Sequence, residues 1–174
     1  EGVFKILIIN DGSFLNSFLN FKRLKKINEI NIINLKKNQG SQKAINIGLR
    51  YLMKSNHKSI ITVIDSDGED DPSKIPHLIN LAIKKPNYIV TANRLHRTEN
   101  FFLKALNLVR LLFTFFITGK YIDFGNFSSF ASLNLKKILL NSDTFIAYSG
   151  GISKNCKNIL KYYVRKKKRY YGKT

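Results

Sequence analysis

The chain has 174 residues, 44% of them hydrophobic and 24% charged, the composition of one globular domain with a real core and not of a disordered chain. Its single cysteine, Cys156, excludes an internal disulfide framework and a cysteine-based zinc site, and points toward a reducing compartment. Thirty Lys and Arg against eleven Asp and Glu give a formal net charge of +19, which suits nucleic acid, a membrane surface or a phosphorylated substrate as partner.

A compositional bias toward Lys, Asn and Ile also accounts for the bulk charge, but less well for the run RKKKR at 165–169. The chain opens without an initiator Met and already inside a strand-like run, VFKILIIN (3–10), which breaks at DGS. No signal peptide is visible, and the opening reads as that of a fragment. SFLNFKRLKKI (17–27) has a helical pattern, and INIINLK (30–36) reads as a second strand. SQKAINIGLRYLMKS (41–55) spaces its apolar residues near a helical period, with Ser41 as the expected N-cap.

SIITVID (59–65) is a third strand, continuous in its apolar character. Asp71 stands before Pro72 as a cap-and-proline start for a helix over 73–85. NYIVTANR (87–94) is a fourth strand, and the apolar stretch 101–118 a long helix. That stretch contains Lys104, Asn107 and Arg110, so its uninterrupted apolar runs are too short to span a bilayer. YIDFGNFSSFAS (121–132) is extended, and LNLKKILLNS (133–142) helical. The alternation predicts an α/β domain, a mainly parallel central sheet flanked by helices. In such a sheet ligands bind at the carboxyl ends of strands, where Asp11 and Asp65 are delivered.

The segment VIDSDGEDDPSKIP (63–76) concentrates five acidic residues between Asp65 and Asp71. Asp65 and Asp67, two apart at a turn after a strand, can converge on one hard cation, with Glu69 as a third candidate ligand. An acidic helix start favoured by the helix dipole explains the same residues without a metal. The spacing does not fit an EF-hand, since Pro72 falls inside the would-be loop. Asp71 is assigned to the helix cap. Lys43 reads as a solvated lysine near a helix start, and His57, His77 and His96 form no metal or triad pattern.

Six blocks in order, INDGS (9–13), NQGSQKAINIGL (38–49), VIDSDGEDDPSKIP (63–76), VTANRLHR (90–97), IDFGNFSSF (122–130) and RKKKRYYGKT (165–174), resemble the family 2 glycosyltransferases of GT-A fold. The similarity is greatest to the dolichol-phosphate mannosyltransferase and polyprenyl-phosphate glycosyltransferase branch. It covers residues 1–174 as one catalytic domain, Rossmann-like, lacking the family's first nucleotide-binding strand and any membrane segment after YYGKT. The resemblance implies that Asp11 contacts the nucleotide, with Asn10 where the family has another Asp. It implies that Asp65 and Asp67 hold Mg²⁺ or Mn²⁺ on the donor diphosphate, with Glu69 nearby, and that Arg94, Arg97 and Arg169 meet phosphates. Asp123 and Asn126 align with a block whose second acid is replaced here by Asn126.

The implied activity is inverting, metal-dependent transfer of a sugar from a UDP- or GDP-linked donor to a polyprenyl phosphate, with Asp67, Asp123 and Arg94 as the catalytic set. It is expected at the cytoplasmic face of the membrane, in cell-envelope synthesis. The aromatic helix at 101–118 would lie at the interface, although a helix packed on the sheet fits too, and RKKKR would add attraction for anionic lipid. Competing readings are transfer to a glycan hydroxyl, a nucleotidyltransferase-like enzyme, and a basic nucleic-acid-binding module. The last is disfavoured because the basic residues are dispersed and carry no binding motif.

Overall fold

The structure is a computed structural model and describes residues 3–13, 27–55, 58–94, 109, 115, 122–140 and 147–165. Strands β1 (Phe4–Asn10) and β2 (Ile27–Asn34) pair in parallel, Ile6 beside Ile30 and Asn10 beside Asn34. The helix expected over 17–27 lies outside the described residues except for Ile27, which opens β2. Helix α1 (Ser41–Lys54) lies against β1. A Cβ added at Gly48 would sit 3.1 Å from the Ile9 side chain, so a residue without a side chain is what lets helix and strand approach.

The main sheet joins β3 (Ile60–Val63), β4 (Ile89–Arg94), β5 (Phe124–Ala131) and β6 (Ile159–Val164) in the order β3-β5-β4-β6. β5 runs antiparallel to both β3 and β4, whereas β4 and β6 are parallel. Three strands of this sheet therefore share one direction and β5 alone is reversed. The reversal decides where the site forms, because the start of β5 lies at the edge where β3, β4 and β6 end.

Both faces of the sheet are covered, as the continuous apolar strands require. Successive residues point to opposite faces, and Ile89 and Val90 accordingly enter different cores. Ile61, Ile89 and Phe130 pack with Leu49 of α1, with Ile138 of α3 (Leu135–Ile138), and with Tyr148 and Ile152 of α4 (Tyr148–Asn155). Val90, Ala92, Phe127 and Val164 pack with Leu78 and Ala82 of α2 (Ile75–Lys84). Leu78 is fully buried, worth roughly 1.5–3 kcal/mol for a side chain of this size.

Asp71 caps a 3₁₀ turn, Pro72–Lys74, that leads into α2, its carboxylate accepting from Ser73 N at 3.1 Å. That matches the cap expected from the sequence. The cap of α1 does not match. Gly40 occupies the N-cap at φ 86, Ser41 is the first helical residue, and no side chain of the cap residue closes the end. α4 and β6 lie beyond the last element expected from the sequence. YSGGISKN contains adjacent glycines, which read as a turn in isolation and become helical here with Tyr148, Gly151 and Ile152 buried.

Of the stretch expected to form a long helix at 101–118, only Val109 and Phe115 are among the described residues. Both are helical and exposed. Among the described residues no helix is long and apolar enough to cross a membrane.

Gly12 stands where β1 turns away, at φ 74, and a Cβ there would fall 2.6 Å from Asn38 N and 2.8 Å from the Lys37 carbonyl carbon. Both neighbours are backbone and have no rotamer to yield. Gly12→Ala is expected to cost about 2 kcal/mol or more, from the left-handed conformation and the clash together. Urea unfolding measures it, and a midpoint equal to that of the parent would contradict this account.

Candidate functional site

Asp11 follows β1, and its carboxylate closes the loop before α1. Oδ1 accepts from Gln39 N at 2.7 Å and Oδ2 from Gly40 N at 2.9 Å. The residue expected to touch nucleotide thus uses both oxygens on backbone donors of the loop that leads into α1. Asn10 pairs with Asn34 through Nδ2 (2.9 Å) and accepts from Ser13 N through Oδ1 (3.0 Å). An Asp at position 10 would lose the donor to Asn34.

Asp65 stands two residues past β3. Val63 pairs with Ser128, and continuing that register places Asp65 opposite Asn126 on β5. Asn126 Nδ2 donates to both carboxylate oxygens of Asp65, at 3.1 and 3.0 Å. Asn126 Oδ1 accepts from Gln42 Nε2 at 3.2 Å, and Gln42 Oε1 accepts from Tyr148 N at 2.6 Å. Four elements of the chain are joined through this line: the β3 end, β5, the first turn of α1 and the start of α4. Tyr148 is buried, its hydroxyl 2.7 Å from Ser128 Oγ, and burial pushes its phenol pKa well above the ordinary value.

Asp67 lies in the turn with Gly68 at φ 81. Its Oδ1 accepts from Glu69 N at 3.0 Å, so the Asp side chain itself shapes the turn. Asp65, Asp67 and Glu69 do not assemble into a three-carboxylate cage. Among the described residues no three His, Cys, Asp or Glu side chains are placed to hold one ion. Two hard carboxylates beside a turn nevertheless fit Mg²⁺ or Mn²⁺, which commonly take one or two protein carboxylates and complete their shell with water and substrate phosphate. Asp70 in the same turn is buried.

Asp123 immediately precedes β5. Its Oδ2 pairs with Lys161 Nζ of β6 at 2.9 Å, both side chains part-exposed, so the pair adds little to stability. Its Oδ1 is buried and has no hydrogen-bond partner among the described residues. Arg94 ends β4, one residue past Asn93, whose partner is Phe124. The register thereby sets the backbone of Arg94 beside Asp123. The side chain of Arg94, and the whole of Arg97 and Arg169, lie outside the described residues. The run that contains Arg169 begins with Arg165, which directly follows β6 at this same edge.

Three residues that the sequence did not single out belong to this edge. Gln42 sits in the quoted block NQGSQKA, but a glutamine one residue into a helix carries no chemical signature. Lys161 is reached only through the parallel pairing of β6. Asn93 is buried, accepts from Thr91 Oγ1 at 2.8 Å, and keeps an Nδ2 donor with no partner among the described residues. His77 stacks on Tyr162 with ring centroids 4.5 Å apart.

The arrangement thus gathers carboxylates, a lysine and a strand ending in arginine along one edge of a doubly covered sheet. Such an edge can hold an anionic ligand through a cation and through direct positive charge. A search among curated proteins returned no match. The family model described as Glycosyl transferase family 2 matches residues 1–147 of the 174. With that match over most of its length and an α/β sheet built to carry the site, the chain belongs to the family 2 glycosyl transferases.

Proposed function

We propose that the chain transfers a sugar, with inversion, from a UDP- or GDP-linked donor to a polyprenyl phosphate at a membrane surface. Family membership gives glycosyl transfer from a nucleotide sugar; the acceptor and the metal are inferred. One observation carries it. Asn126, where the resemblance puts an acid, is held by Gln42 with its amide nitrogen toward Asp65. An amide so placed cannot accept a proton from an attacking hydroxyl. A phosphate monoester, with its second pKa of about 6, arrives ionised and needs only to be placed and screened.

Asp65 and Asp67 would hold Mg²⁺ or Mn²⁺ against the donor diphosphate, where the ion supplies charge neutralisation for the leaving group. Arg94 and the basic run after β6 would add direct contacts to phosphate oxygens. An acceptor phosphate oxygen attacks the anomeric carbon and forms the new C–O bond. The bond from that carbon to the diphosphate oxygen breaks, and the nucleoside diphosphate leaves with the electron pair. Asp123, beside Lys161, would orient the acceptor. Exposed Val109 and Phe115 and the basic residues from Arg165 onward support placement against an anionic lipid surface.

The test offers the protein UDP- and GDP-sugars with polyprenyl phosphate or with a free sugar acceptor, in Mg²⁺ or Mn²⁺, and identifies the product. A glycosylated lipid phosphate is expected, and Asp123→Ala is expected to lower its formation by about 10²-fold, in line with loss of a positioning contact. Product formed on a sugar hydroxyl, with Asp123→Ala fully active, would replace this reading with transfer to a glycan.

A further inference from the structure

The line from Tyr148 to Asp65 has a fixed polarity. A backbone N–H can only donate, so Gln42 must turn Oε1 toward Tyr148 N and Nε2 toward Asn126. Asn126 must then turn Oδ1 toward Gln42, which leaves its Nδ2 for a carboxylate that, ionised, can only accept. Neither amide can flip without setting acceptor against acceptor at one end. The orientation of Asn126 is therefore dictated from α4, through a residue of α1 that is hydrogen-bonded to neither Asp65 nor Asp67 among the contacts described.

We propose that Gln42 is a positioning residue for the donor site: through Asn126 it locks the Asp65 carboxylate in the orientation that binds the divalent cation. The proposal rests on the reading of Asp65 as a metal ligand. Carboxylate ligands are commonly held by outer hydrogen bonds, and removing such a partner typically weakens metal binding 10–100-fold. The same line gives glycosyl transfer a dependence on α4 packing, because Gln42 is anchored to the first residue of that helix.

Gln42→Met nearly preserves the volume of the side chain and removes its amide. Mn²⁺ affinity of the full chain, read by the electron paramagnetic resonance of free Mn²⁺, is expected to fall about tenfold in Gln42→Met. Asn126→Ala should fall by a similar factor, and Gln42→Met should add nothing further in the Asn126→Ala background, because both act through one amide. Asp65→Asn should abolish the binding. Affinity unchanged in Gln42→Met while Asp65→Asn abolishes it would overturn the positioning role alone. Losses that multiply in the double variant would overturn it as well, since Gln42 would then act by another route. Binding that survives Asp65→Asn would overturn the metal reading and this proposal with it.

Discussion

Asp67→Asn is expected to lower metal-dependent sugar transfer by about 10²–10³-fold, the several kcal/mol that a cation contributes to leaving-group charge. The substitution isolates charge from shape. Asp67 Oδ1 accepts from Glu69 N at 3.0 Å, and an Asn carbonyl oxygen can accept the same bond. The turn around Gly68 therefore persists while one unit of negative charge disappears. Initial rates across a Mg²⁺ and a Mn²⁺ titration measure the effect. The thermal midpoint should stay within a few degrees of the parent, because no core residue is touched. A variant with the parent's rate and metal dependence would remove Asp67 from the site.

Asn126→Asp should give the second large effect, first in stability and then in metal linkage. It sets a carboxylate where an amide nitrogen now lies 3.0–3.1 Å from both oxygens of Asp65. Two like charges about 4 Å apart repel by roughly 4 kcal/mol at an effective dielectric of about 20. The metal-free variant should melt about 8–16 °C below the parent, given the usual conversion of about 2–4 °C per kcal/mol for a domain of this size. Mn²⁺ should reverse most of that loss, since ligand at a hundred times its Kd stabilises by about 2.7 kcal/mol. The parent should gain less from the same Mn²⁺. Scanning calorimetry with and without Mn²⁺ decides the matter; equal midpoints for both proteins in both conditions would mean that Asp65 and position 126 do not face each other.

This pair also explains how an enzyme of this family can carry an amide at a position where an acid is expected. Asn126 gives Asp65 a hydrogen-bond donor that an acid could supply only when protonated or with a cation between the two. The substitution is therefore coupled to Gln42. An acceptor-only side chain at 42 would force the Asn126 amide to face Asp65 the wrong way round.

Much of this was written locally. Phe4–Asn10, Ile60–Val63 and Ile89–Arg94 are short apolar runs whose neighbours end them, and each formed a strand close to its expected bounds. Asp71 before Pro72 started its helix as expected, because a cap and a fixed φ act within three residues. The pairing of acid with turn at Asp65 to Gly68 was equally legible, since spacing along the chain alone puts two carboxylates at one strand end. What depended on distant partners was not legible. α4, with its two glycines, has no local reason to be a helix, and β6 takes its place through pairing with β4. Gly40 took the N-cap place expected of Ser41, and Asp11, 29 residues before it, holds the loop ahead of the helix by accepting from Gln39 N and Gly40 N. The reversed β5 is the largest such decision. Strand direction is set by the path of the connections and the register, neither of which a strand's own residues encode. The sequence by itself determined that two carboxylates end a strand; tertiary structure alone decided that Asn126, and behind it Gln42 and Tyr148, would hold one of them.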